Sequence, residues 1–91
     1  MSEQKIAVLG CGLWGRNIVR NFYNLNALGM VCDLDDDNIA KVKEQYPGIK
    51  TTKDFHDILN SKEITGVVVV TPSHTHFKFV KAMLEAGKHV Y

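Results

Sequence analysis

Four valines in a row, Val67-Val68-Val69-Val70, constrain this chain more than any other feature. A strand with one wet face alternates apolar and polar residues. An unbroken apolar run belongs to a strand covered on both faces, as in a parallel sheet with helices above and below. Gly66 precedes the run and Thr71-Pro72-Ser73 breaks it. The remaining segments supply what such a sheet needs. Ile6-Ala7-Val8-Leu9 is a short apolar strand ending at Gly10. Leu13 to about Asn24 reads as a helix, with Ile18, Val19, Phe22 and Tyr23 spaced to bury one face. Leu28-Gly29-Met30-Val31-Cys32 is a second strand.

Asp35 is then placed to cap a helix, with Asp36 and Asp37 in the first turn, where carboxylates suit the helix dipole. That helix carries Ile39, Val42 and Tyr46 and stops before Pro47-Gly48. Ile49 to Thr51 reads as a third strand, and Asp54 as the cap of a short helix with Phe55, Ile58 and Leu59 on one side. After the valine strand, a helix from about Thr75 to Ala86 turns Phe77, Val80 and Leu84 inward and stops at Gly87. His89-Val90-Tyr91 begins a fifth strand. Strand–helix repetition of this kind gives a doubly wound α/β fold in three layers, α/β/α, filling one domain over residues 1–91. Right-handed crossovers make 3-2-1-4-5 the natural strand order, which puts a nucleotide site across the carboxyl ends of strands 1 and 4.

Gly10-Cys11-Gly12-Leu13-Trp14-Gly15 is a GxGxxG placed between that first strand and first helix. Gly10 permits the tight turn, Gly12 lets a pyrophosphate approach the backbone, and Gly15 lets the helix pack on the sheet. The helix N-terminus offers free N–H groups to the phosphates. Asp33 lies at the end of strand 2, 18 residues beyond Gly15, where a carboxylate accepts hydrogen bonds from the adenosine ribose. Asp35 is the alternative ribose ligand. A carboxylate here repels a 2′-phosphate, and no Arg follows directly, so NAD is expected and NADP is less favoured.

Several features point to simpler roles or exclude other functions. The net charge is +1 with no basic run, against nucleic acid or an anionic membrane as partner. No apolar run reaches the roughly 18–20 residues of a membrane span. The start has no signal-peptide pattern and the two cysteines form no CxxC, so a cytoplasmic setting is expected. His74 and His76 lack further ligands nearby in sequence, so no metal site is expected. Ser73 reads as a helix cap, and Cys11 as a small filler beside the phosphate site. Cys32 reads as a core residue, and Trp14 as an outer cover of the loop. Lys78, Lys81 and Lys88 read as a solvated helix face and its end. Phe77 and Phe79, at i and i+2, cannot share one helix face, so one is core and the other meets a sheet edge or a partner.

Four segments together carry a narrower resemblance. They are Ala7-Val8-Leu9-Gly10-Cys11-Gly12-Leu13-Trp14-Gly15-Arg16-Asn17, Cys32-Asp33, Val70-Thr71-Pro72-Ser73-His74-Thr75-His76 and Glu85-Ala86-Gly87-Lys88-His89-Val90-Tyr91. This combination resembles the N-terminal Rossmann domain of the glucose-fructose oxidoreductase / inositol dehydrogenase / MocA family, over nearly the whole chain. The Trp14-Gly15-Arg16-Asn17 stretch is most similar to members that oxidise nucleotide-linked sugars. The resemblance implies an NAD(P)-binding domain of an oxidoreductase that moves hydride between nicotinamide and a sugar, polyol or nucleotide-sugar carbon. It implies that Leu13 and Trp14 offer backbone N–H groups to the pyrophosphate and that Asp33 holds the ribose. Thr71, Pro72 and His76 would line the cofactor on its nicotinamide side. In the family a Glu-Lys-Pro motif and a substrate domain follow the last of these segments, so no catalytic residue is assigned here. A sugar-like substrate is expected only with that further domain, and the alternative is a non-catalytic nucleotide-binding module or a truncated fragment without activity of its own. A short fifth strand would leave a sheet edge open to self-association.

Overall fold

The computed structural model describes residues 5–10, 12–70 and 73–91, with the side chains of all of these except 13, 14 and 73–77. Five strands and four helices alternate: β1 (Ile6–Leu9), α1 (Leu13–Asn24), β2 (Leu28–Cys32), α2 (Asp36–Gln45), β3 (Lys50–Thr52), α3 (His56–Asn60), β4 (Gly66–Val69), α4 (Ser73–Glu85) and β5 (His89–Val90). All pairings are parallel, and the order is β3-β2-β1-β4-β5, as the crossover rule requires.

Alternation along the strands builds two cores. Ala7, Leu9, Met30, Cys32 and Val67 face the side covered by α3 and α4, where Ile58 and Met83 are fully buried. Val8, Leu28 and Val31 face the other side, against Val19 of α1 and Val42 of α2. Leu28 and Val31 are an odd number of residues apart yet share a face. The register explains this: Ile6 pairs with Leu28 but Ala7 pairs with Met30, so a bulge at Gly29 resets the parity. The valine strand serves both cores, Val69 packing on the α3/α4 side and Val70 on the other. Tyr23 and Tyr46, with ring centroids 4.5 Å apart, tie α1 to α2, while Phe55 and Phe79 meet edge-on at 5.1 Å across the opposite face.

Gly66 opens β4 because its backbone is hemmed in. A Cβ there would lie 2.8 Å from Ile6 Cδ1 and 3.0 Å from Tyr91 Cε2.

Three local expectations are corrected. The third strand runs Lys50–Thr52, one residue later than read, because the Ile49 N–H closes the preceding turn on the Tyr46 carbonyl. Leu84 faces solvent, and α4 instead inserts Met83, with Phe79 packed beside it. The 3.6-residue period allows either stripe, and contact with β4 and β5 selects this one.

The third correction concerns Lys88, which is not a solvated helix end. It is only 9% exposed, and its ammonium donates to the carbonyls of Ser61 and Ile64. Burial pushes its pKa below the ordinary lysine value. These two hydrogen bonds are what make such burial tolerable, because each satisfies a carbonyl that the α3–β4 loop leaves open.

Candidate functional site

The carboxyl ends of β1, β2 and β4 surround a cleft of about 510 Å3, lined by Leu9, Gly10 and Gly12, by Cys32 to Asp35 with Asn38, and by Val70 and Phe79. This is the switch point of the sheet, where the chain leaves β1 toward one face and β4 toward the other. Gly10 adopts φ +94°, a conformation costly for any residue with a Cβ, and its N–H donates to the Cys32 carbonyl at 2.7 Å. That bond joins the β1 turn to the end of β2. Gly12 is the N-cap of α1 and has nothing within 4 Å of where a Cβ would stand, so the space beside its backbone is open. Gly15 is buried within the first turn of α1. The first N–H groups of a helix have no acceptor within it, so α1 presents residues 13–15 as donors toward this space.

Asp33 is half-buried at the end of β2. Its backbone N–H donates to the Thr52 carbonyl of β3 at 3.1 Å. Its Oδ1 accepts from the Asp35 N–H at 2.8 Å, and its Oδ2 accepts from Asn38 Nδ2 at 3.2 Å. Asp35 in turn accepts the Asp37 N–H at 2.8 Å as the N-cap of α2, as expected from its position. That bond takes one oxygen, Oδ1, of the carboxylate that was the alternative ribose ligand.

The cleft floor is chemically quiet. Cys32 is buried, and burial, helped by the charges of Asp33, Asp54 and Asp57, pushes its thiol up to about 12. Beside it Thr52 donates its hydroxyl to Asp57, and the Asp54 carboxylate accepts both the backbone N–H and the ring Nδ1 of His56. Those bonds to His56 hold the Asp54 carboxyl below its ordinary value. The cap position of α3 is Phe55, which makes no side-chain capping bond, so Asp54 is not the cap the sequence suggested; it lies one residue earlier and bonds His56.

The structure therefore brings Gly10, Gly12 and Asp33 to one cleft, with Gly15 behind it in α1. Cys11, Thr71 and Pro72 lie outside the described residues. So do the side chains of Leu13, Trp14, Ser73, His74, Phe77 and His76, although their backbones belong to α1 and α4. Sequence reading missed Leu34, Asn38 and Phe79 as lining residues. Leu34 was legible as an apolar residue stranded in an acidic turn. Asn38 carried no local signal, since an amide in the first turn of a helix is ordinary. Among the described residues no group of three or more His, Cys, Asp or Glu is placed to hold a metal ion, and no helix is long and apolar enough to cross a membrane.

Residues 4–91 match the model of the oxidoreductase family with an NAD-binding Rossmann fold, known as Gfo/Idh/MocA. An inositol 2-dehydrogenase of Rhodococcus erythropolis is 36% identical over 97% of this chain and 26% of its own length. A scyllo-inositol 2-dehydrogenase (NADP(+)) of Bacillus subtilis is 28% identical over 94% of this chain and 24% of its own length. Among solved structures, scyllo-inositol dehydrogenase of Lactobacillus casei, with bound NAD(H) and scyllo-inositol, superposes with a TM-score of 0.84. It is 25% identical over 93% of this chain and 26% of that one. The chain thus spans about a quarter of the length of these relatives. It belongs to the Gfo/Idh/MocA family and is an NAD-binding oxidoreductase domain of the Rossmann type.

Proposed function

We propose that this domain prefers NAD(H) to NADP(H), and that it serves an oxidoreductase acting on a hydroxyl-bearing carbon of a polyol, sugar or nucleotide sugar. The observation that carries the cofactor preference is the Asp33 carboxylate at the edge of the cleft, held by Asp35 and Asn38. An ionised carboxylate is the kind of acceptor that the two hydroxyls of an unmodified adenosine ribose call for. The same charge opposes a 2′-phosphate.

The residues present fit a dinucleotide. The open backbone at Gly12 admits a pyrophosphate, which residues 13–15 of α1 meet with N–H groups. Leu34, largely exposed at the rim, offers an apolar surface for the adenine. By the family resemblance, Thr71, Pro72 and His76 would line the cofactor on its nicotinamide side. When bound, the nicotinamide supplies the hydride acceptor or donor, and this chain's part is to bind and orient it. The substrate class rests on the inositol dehydrogenases among the relatives.

The test uses the chain's one tryptophan, Trp14, in the first turn of α1. Titrated separately, NADH and NADPH should both quench its fluorescence, with NADH the tighter ligand by about tenfold or more, since each tenfold is about 1.4 kcal/mol. Tighter binding of NADPH would overturn the preference assigned to Asp33.

A further inference from the structure

We infer that Asn38 is a positioning residue for the cofactor preference: its amide locks the Asp33 carboxylate in the orientation that receives the ribose. This deepens the proposed NAD(H) preference and rests on it. An aspartate side chain turns about two bonds. One hydrogen bond at one oxygen still leaves the carboxylate free to pivot. Here the two oxygens are held separately, Oδ1 by the Asp35 N–H at 2.8 Å and Oδ2 by Asn38 Nδ2 at 3.2 Å. The first donor belongs to the loop and the second to α2, so the carboxylate is pinned between two elements.

The helix side of this clamp is rigid. Asn38 sits in the first turn of α2, immediately after the capping bond of Asp35 to Asp37 and immediately before Ile39, which is buried. Asn38 is itself half-buried and lines two spaces at once. One is the main cleft with Asp33. The other is a small recess of about 40 Å3, also lined by Arg16 and Lys41.

Four variants of the chain test it: Asn38→Ala, Asn38→Leu, Asp33→Ala and the Asp33→Ala/Asn38→Ala pair. For each, NADH and NADPH dissociation constants and the melting temperature are measured. Asn38→Ala should weaken NADH by about three- to tenfold, with less effect on NADPH, so that the preference narrows. Asn38→Leu is nearly the same size, is uncharged and cannot donate, and should lose at least as much. A purely steric role would leave that variant unchanged. Adding Asn38→Ala to Asp33→Ala should change NADH binding by less than about twofold, because the residue acts through the carboxylate.

Unchanged NADH affinity in both Asn38 variants, with Asp33→Ala impaired, overturns the positioning role and leaves the ribose contact intact. Full additivity in the double variant also overturns it. Unchanged affinity in Asp33→Ala overturns the ribose contact itself, and the role of Asn38 with it.

Discussion

At the amino ends of the strands, the ammonium of Lys88 is buried and donates to the Ser61 and Ile64 carbonyls. At the carboxyl ends, Gly10, Gly12 and Asp33 border an open cleft, and the N–H groups that begin α1 have no acceptor within the helix. Both ends face the same geometric problem, since each strand–helix junction leaves backbone polar groups without a ladder partner. One end solves it with the protein's own atoms. The other leaves donors and acceptors aimed at a space large enough for a ligand. The difference separates stability from binding, and substitutions at the two ends should separate them in the same way.

The largest effect is expected at the closed end. Lys88→Met keeps the apolar stem but strands two carbonyls, which should cost about 2–4 kcal/mol. In a domain of this size each kcal/mol lowers the melting temperature by about 4–8 °C. NADH affinity of the folded fraction should not change. A variant as stable as the parent, by thermal melting, would mean that the buried ammonium is no better than a methyl group there.

A second effect comes from the cleft floor and shows itself with pH. The Cys32 thiol stands at about 12 in the fold against an ordinary 9.0. Below pH 9 it is protonated in both folded and unfolded states, so its contribution is fully present. As pH climbs from 9 toward 12, the unfolded chain loses this proton first and stability falls by about 1.4 kcal/mol per pH unit. Lys88, with its lowered pKa, acts in the opposite sense over the alkaline range, since the folded state releases its proton sooner. Cys32→Val therefore isolates the thiol. The variant should lose less stability than the parent between pH 8 and pH 11, read as urea midpoints. Parallel declines would show that the thiol is not buried from base.

The smallest effect on stability, and a clear one on binding, is expected at Gly12. A Cβ there meets nothing within 4 Å, so Gly12→Ala should shift stability by less than about 1 kcal/mol, the scale of a helix cap. The same methyl stands where a pyrophosphate must approach, and NADH affinity should fall by about tenfold or more, which is about 1.4 kcal/mol. Retained affinity in Gly12→Ala would place the phosphates elsewhere.

The open end was far easier to read from sequence than the closed one. GxGxxG and Asp33 are local signals: each glycine answers to its own backbone conformation or its immediate surroundings, and Asp33 to its place at a strand end. The valine run was equally direct, because its residues pack on both faces of the sheet, Val67 and Val69 on one and Val70 on the other. Lys88 was misread because its partners, Ser61 and Ile64, lie 27 and 24 residues away and are brought to it only by the β4–β5 pairing. Leu84 was misread for a related reason, since helical period alone does not say which stripe the sheet will cover. The Asn38–Asp33 bond spans only five residues. It passed unnoticed because it crosses from a loop to a helix, outside the spacings that either element suggests.

The most direct test of this division is an amide chemical-shift map of the labelled chain with and without NADH. Shifts concentrated at Gly10, Gly12, Asp33, Leu34, Asn38 and Val70, with Ile64, Gly87 and Lys88 unmoved, are expected if the carboxyl ends of the strands bind the cofactor. Saturable shifts centred on Ile64 and Lys88, with the glycine loop silent, would contradict it.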